Sequence, residues 1–295
     1  MFAVIGILIV LGAVVGGYLM EHGQLLVLLQ PAELVIIGGA AIGSLMIAND
    51  IRVLKGIIGG LLGAMKGSPI NKNSYLELLK MLHDLFASAR KNGAAKLEAD
   101  IENPAESQIL SAFPSFLKNH HAVKYLCDTL RLVLMGGVGV HELDALMELD
   151  AETHGQEAHE PVGALQTSAD SLPGLGIVAA VLGVVITMGA LGGPPEEIGH
   201  KVAAALVGTF LGILMCYGFI GPLATRMARA HEAEDQYLTC IRQAVVAYVR
   251  GCGPMLSAEF ARRAVPPHMR PSFQDFEALC KGAPAEGEAA PLKAA

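Results

Sequence analysis

Four apolar stretches, each long enough to cross a bilayer and set out in two pairs, constrain this chain more than any other feature. A helix needs about twenty mostly apolar residues to span the hydrocarbon core. Phe2 to Met20 meets that need without a single charge. Glu33 to Ala48 follows at once and opens at Pro31, a residue suited to a first helical turn. Leu172 to Leu191 and Val202 to Ile220 form the second pair, beyond a long polar middle. Only 17% of residues are charged and 53% are hydrophobic, where soluble domains carry about a quarter charged residues. No strand-like alternation of useful length occurs. The expected fold class is therefore all-α: a polytopic membrane protein with four transmembrane helices in two hairpins plus a helical cytoplasmic domain.

Charge placement orients the spans. Residues 1–48 hold no lysine or arginine, and residues 167–225 hold only Lys201. Basic residues near span ends stay on the cytoplasmic side. Arg52, Lys55 and Lys66 follow the second span, and Arg226 and Arg229 follow the fourth. The middle region, the tail and both termini are thus expected in the cytoplasm, with the turns at 21–32 and 192–200 outside. The run from Ile57 to Met65 is too short to cross and reads as an interfacial helix on the inner leaflet.

The polar regions read as helices. Ser74 to Arg90 repeats apolar residues at three-to-four spacing and stops at Asn92-Gly93. A second helix covers His121 to Met135. A third, Glu142 to His159, is expected to run into the third span. Thr225 to Arg250 forms a long helix closed by Gly251. The expected organisation is a hairpin at 1–50, an interfacial helix and cytoplasmic domain at 51–167, a second hairpin at 168–222, C-terminal helices at 223–282 and a disordered tail at 283–295.

Several functions lack their signatures. The net charge of −7 gives no basic face for nucleic acid. Five cysteines without a CxxC pair suit a reducing compartment, and the absent basic n-region argues against a cleaved signal peptide. No phosphate-binding loop or HExxH occurs, so neither an enzyme nor a cofactor is expected. No metal site is expected: His120-His121 reads as exposed, and His154 and His159 do not share a helix face. The acids Asp144, Glu148 and Glu152 read as a solvated stripe.

Inside the spans, small residues recur four apart at Gly12/Gly16, Gly39/Gly43, Ala179/Gly183 and Gly208/Gly212, a spacing that lets helix backbones approach. No ionisable side chain lies mid-span. Glu33 and Asp170 sit near ends and read as anchors or caps. The chain offers hydroxyls at Ser44, Thr187, Thr209 and Tyr217, so a conducted ion would need a carboxylate from a partner. Pro173 and Pro222 flank the second hairpin. They read as a helix start and a helix stop, or as a hinge pair.

Four segments carry a resemblance: QPAELVIIGGAAIGS (Gln30–Ser44), DIENPAES (Asp100–Ser107), DSLPGLGIVAAVLGVV (Asp170–Val185) and VGTFLGILMCYGFIGPLAT (Val207–Thr225). In order and spacing the chain resembles the MotA/PomA family of flagellar motor stator subunits. The resemblance implies a bacterial inner-membrane protein that rings a pair of MotB chains, as a pentamer around a MotB dimer, with MotB supplying the ion-carrying aspartate. It implies that Pro173 and Pro222 couple ion flow to movement, with Thr209 and Tyr217 near the ion path. It assigns Arg90 and Glu98 to the rotor protein FliG, and Asp150 stands where relatives often have Glu. Ala180 occupies the place of a threonine in sodium-driven relatives, so protons are the expected coupling ion. An ExbB/TolQ-like energiser of outer-membrane transport is the alternative, disfavoured by the fourth span.

Overall fold

The computed structural model describes residues 2–66, 70–189, 192 and 194–281, and every regular element among them is helical. The α-helices in chain order are α1 (Phe2–Met20), α2 (Leu25–Leu28), α3 (Pro31–Ala48), α4 (Ile51–Lys66), α5 (Lys72–Asn92), α6 (Ala94–Glu102), α7 (Pro114–Leu117), α8 (His120–Met135), α9 (Val140–Met188), α10 (Pro195–Ile213), α11 (Gly221–Val249), α12 (Pro254–Ala264) and α13 (Phe273–Cys280), with a short 3-10 turn at Leu110–Ala112. A π-helical segment, Leu214–Ile220, joins α10 to α11. Four helical stretches are long and apolar enough to cross a membrane: α1, Leu25–Ala48, and parts of α9 and of Pro195–Val249. The tail expected to be disordered, 283–295, lies outside the described residues, as do residues 190 and 191 at the end of the third apolar run.

The chain divides into two units, one from residues 1–68 and 157–231, the other from 69–156 and 232–295. In the first unit many large apolar side chains face outward. α1 buries none of its nineteen residues, and Leu8, Ile9, Leu26, Val35 and Ile42 are all exposed. Such surface is intolerable in water and ordinary against lipid, where the backbone is satisfied within each helix.

α4 extends beyond the expected interfacial run. The Asp50 carboxylate accepts from the Val53 N–H at 3.0 Å and so starts the helix earlier. One face then packs inward: Val53, Ile57 and Ala64 are buried with Val162, Leu165, Ala224 and Met227. Gly56 fits the Pro161 ring, where an added Cβ would lie 2.6 Å away. Arg52 bridges Glu157 and, at 2.8 Å, Glu160. At the other end the Arg226 Nε donates to the Ala64 carbonyl at 2.5 Å. Ile51, Ile58 and Leu62 remain exposed on the opposite face.

In the second unit α5 is the central element. Leu78, Leu79, Met81, Leu82, Leu85 and Phe86 are fully buried, on the face that the three-to-four spacing predicts. They meet Leu97 and Ile101 of α6, Leu126 and Leu130 of α8, Leu238, Ile241 and Val245 of α11, and Ala258 of α12. Phe86 and Tyr248 stack with centroids 4.4 Å apart. Local signals fix the ends. Asn71 and Ser74 form a reciprocal capping box, Asn119 caps α8 and Ser272 caps α13. Gly93 and Gly136 close α5 and α8 at φ 83° and 75°, in the left-handed region that favours glycine.

The structure overturns the reading of the two prolines as a helix start and a helix stop. Pro173 lies inside α9, which runs unbroken for 49 residues, and Pro222 is the second residue of α11. Each removes one N–H from its ladder. At Pro222 the helix accommodates the loss by widening: the preceding seven residues adopt π geometry, with the Gly221 N–H bonded to the Cys216 carbonyl.

Candidate functional site

The crossing of α9 and α10 is built from small residues. An added Cβ on Gly176 would lie 2.8 Å from the Gly208 carbonyl and 3.2 Å from the Thr209 Cα. One on Gly212 would lie 2.5 Å from the Leu172 carbonyl and 2.9 Å from the Gly176 Cα. One on Gly183 would lie 2.7 Å from the Ala205 Cβ. The two backbones are in direct contact over more than two turns, the arrangement small residues permit in lipid. The Ala179/Gly183 and Gly208/Gly212 repeats are thereby consumed within the chain. Gly12, Gly16, Gly39 and Gly43 have nothing within 4 Å of an added Cβ.

This crossing gathers part of the expected ion path. Ala180 and Thr209 are half-buried on the two facing helices, with the Ala180 N–H 3.2 Å from where a Gly208 Cβ would sit. Pro173 lies one residue after Leu172, whose carbonyl touches Gly212. Tyr217 is not part of this cluster. It is 72% exposed and sits in the π segment, where it lines an open groove of about 640 Å³ with Phe2, Gly6, Val10 and Pro222. Pro222 is likewise exposed.

Glu33 corrects the sequence reading. It makes no capping bond at the start of α3, whose N-cap is Gln30 without a side-chain hydrogen bond. Instead its side chain is 7% exposed, and Oε2 is buried with no hydrogen-bond partner. That oxygen lies 2.6 Å from where a Gly208 Cβ would be, against the same spot as Ala179 and Ala180.

Arg90, Glu98 and Asp150 are all exposed. Arg90 is in the last turn of α5, Glu98 lies on α6 just past the Gly93 turn, and Asp150 is on α9. Asp150 acts electrostatically on His121. The acidic stripe of α9 is only partly solvated. Arg242 of α11 grips Asp144 at 2.6 Å and Glu148 at 3.0 Å, and with these bonds its guanidinium is held still more firmly protonated despite partial burial. The DIENPAES segment also has a local purpose. The Ser107 hydroxyl donates to the buried Asp100 at 2.7 Å and accepts the Leu110 N–H at 3.2 Å, folding the segment back on α6.

Residues 4–93 match the family described as motility protein A N-terminal, and residues 117–239 match the MotA/TolQ/ExbB proton channel family. Motility protein A of Escherichia coli (strain K12) is 42% identical over 277 residues, covering 94% of each chain. Chemotaxis protein LafT of Vibrio parahaemolyticus is 38% identical, covering 92% of this chain and 96% of its own. Among solved structures, the fold is similar to that of the flagellar MotAB stator complex from Bacillus subtilis, with a TM-score of 0.73, 22% identity and coverage of 91% and 97%. It is also similar to C. jejuni MotAB, with a TM-score of 0.75, 18% identity and coverage of 90% and 95%. With the four apolar helices, the glycine-lined crossing and these likenesses over nearly its whole length, the chain belongs to the motility protein A family.

Proposed function

We propose that this chain, as a flagellar stator subunit with a proton-channel family domain, turns proton flow into torque by moving α9 and α11 as levers. One observation carries the reading: helix geometry passes without a break from the apolar crossing into polar sequence, over Val140–Met188 and over Pro195–Val249. Residues 140–188 alone give about 70 Å of helix, at 1.5 Å per residue. A tilt or twist at Ala180 or Thr209 then reaches the far end of the same helix. Pro173 and Pro222 each lack one ladder bond and are the places where such a helix flexes at least cost.

A MotB-like partner supplies the membrane aspartate, and copies of this chain ring it, five around a partner dimer in our reading. Protons are the ion because Ala180 and Thr209 together give too few oxygens to replace the water around sodium. Arg90, Glu98 and Asp150 face the rotor protein FliG. The assembly lies in the inner membrane with both termini in the cytoplasm. Energetics allow such a switch. One charge crossing 100 mV gains about 2.3 kcal/mol, roughly a 50-fold bias between two states.

The ExbB/TolQ alternative is the more distant reading, since the motility protein A match covers the first two spans as well. The test is complementation of a non-motile strain lacking its own stator subunit, using this chain with its partner. Motility should return, and Pro173→Ala or Pro222→Ala should reduce rotation while the complex still assembles. Restored outer-membrane transport without motility would overturn the assignment.

A further inference from the structure

In the second unit three helices bring together groups that the membrane chemistry does not use. His121 lies in the first turn of α8, His154 on α9 and Glu234 on α11, and one ligand atom from each lies within 4.8 Å of the other two. All three residues are half-buried. The two imidazoles stack face to face, with centroids 3.4 Å apart and planes at 13°. The Nδ1 of His121 is buried and has no hydrogen-bond partner. A buried polar atom left without a partner is costly, so a partner arriving from outside the chain would be favoured.

We infer that His121, His154 and Glu234 form a binding site for a borderline divalent transition-metal cation, zinc being the representative case. Two imidazoles and a carboxylate are a ligand set that zinc accepts, with water in the fourth position. Hard cations such as magnesium prefer oxygen and would gain little from two imidazoles. The stacked rings show what binding requires. In-plane lone pairs on parallel rings cannot converge, so one imidazole must swing about its χ2 until both nitrogens face one ion. Ligand atoms around tetrahedral zinc lie about 3.3 Å apart, a closure that side-chain rotation supplies without moving a helix.

The surrounding charges agree. Burial first, and then the neighbouring His154, hold the His121 proton affinity below its usual value. Glu234 and Asp150 pull in the opposite direction and make the place attractive to a cation, while Lys124 opposes it. A bound ion would tie the start of α8 to α9 and α11, the two proposed levers, and so stiffen them together. The histidines were expected to be exposed or on separate faces. The structure instead joins residues 121 and 154 through the antiparallel return of α8 and α9, which helical spacing alone does not reveal.

The experiment uses the full chain, purified in detergent and stripped with a chelator, and titrates it with zinc chloride and separately with cobalt(II). Wild type and His268→Gln, an exposed histidine elsewhere, should bind one zinc per chain and raise their melting temperature with it. Cobalt should develop the visible bands of a tetrahedral site. His154→Gln and Glu234→Gln should each weaken binding at least tenfold and lose the bands. If His154→Gln fails to fold, Glu234→Gln on a more tolerant carboxylate gives the same readouts. Equal affinity in all four proteins, or no zinc bound by wild type, would show the stacked pair to be packing alone and would overturn the site.

Discussion

Replacing Gly212 with alanine tests the membrane crossing directly. The new Cβ would meet the Leu172 carbonyl at 2.5 Å and the Gly176 Cα at 2.9 Å, both backbone atoms that cannot rotate away. An ordinary contact begins at 3.4 Å, so α9 and α10 must part by 0.9 Å at this point. Overpacking of that size costs about 1–3 kcal/mol. It also breaks the contacts at Gly176–Gly208 one turn away. In the detergent-purified chain the melting temperature should fall by roughly 2–10 °C. Rotation of tethered cells should slow in parallel, since Ala180 and Thr209 lose their register. Gly43→Ala is the control, because nothing lies within 4 Å of its added Cβ and the isolated chain should melt like wild type. A Gly212→Ala protein that melts and turns like wild type would refute the backbone-to-backbone crossing.

Three further outcomes are expected. Arg90→Glu or Glu98→Lys should impair swimming while complex assembly and ion conduction persist, and complementary reversals on the rotor should restore part of it. These side chains are exposed, so stability should change by less than about 1 kcal/mol. Ala180→Thr should slow proton-driven rotation, and wild-type rotation should continue in sodium-free medium and stop with a protonophore. Rotation that follows sodium instead would remove Ala180 as a marker of ion choice. Arg242→Ala leaves Asp144 and Glu148 facing each other without their cation. It should destabilise the second unit by roughly 1–3 kcal/mol, between the values for exposed and fully buried pairs, as read from chemical denaturation.

Much of this fold was legible because the relevant signals are local. Twenty-residue apolar runs, three-to-four spacing, and Gly93 and Gly136 as helix stops each act within one or two turns; the Asn71 and Asn119 caps are equally local, though the sequence reading did not single them out. The prolines misled for the same reason. Proline propensity describes an isolated helix, whereas the packing of Leu172 against Gly212 and the π segment before Pro222 hold these helices together across the missing bonds. Arg242 stands 98 residues from Asp144 in sequence, and no spacing rule joins them. The histidine pair and the Glu33–Gly208 contact are likewise tertiary. They depend on which faces meet, and one sequence fixes faces only along its own helix.

Glu33 bears most directly on how an ion would pass. The sequence suggests a membrane path with no carboxylate of its own, the whole acidic function falling to a partner. The structure puts one carboxyl group where the small residues of α9 and α10 meet, and there are two ways to read it. If Glu33 merely fills the space above Gly208, glutamine, of the same shape, should serve as well, while alanine should leave a void and loosen the crossing. If Glu33 takes part in passing protons toward the partner's aspartate, glutamine should fail even though it packs, because it cannot take up and release a proton. The unpartnered Oε2 favours the second reading: a group kept only for packing would be expected to find a donor, and a buried acceptor without one is costly. We therefore expect Glu33→Gln to assemble and melt like wild type and yet to rotate more slowly, with the deficit growing as the external proton concentration is lowered. Equal rotation of Glu33→Gln and wild type across that range would reduce Glu33 to a spacer and return the whole acidic function to the partner.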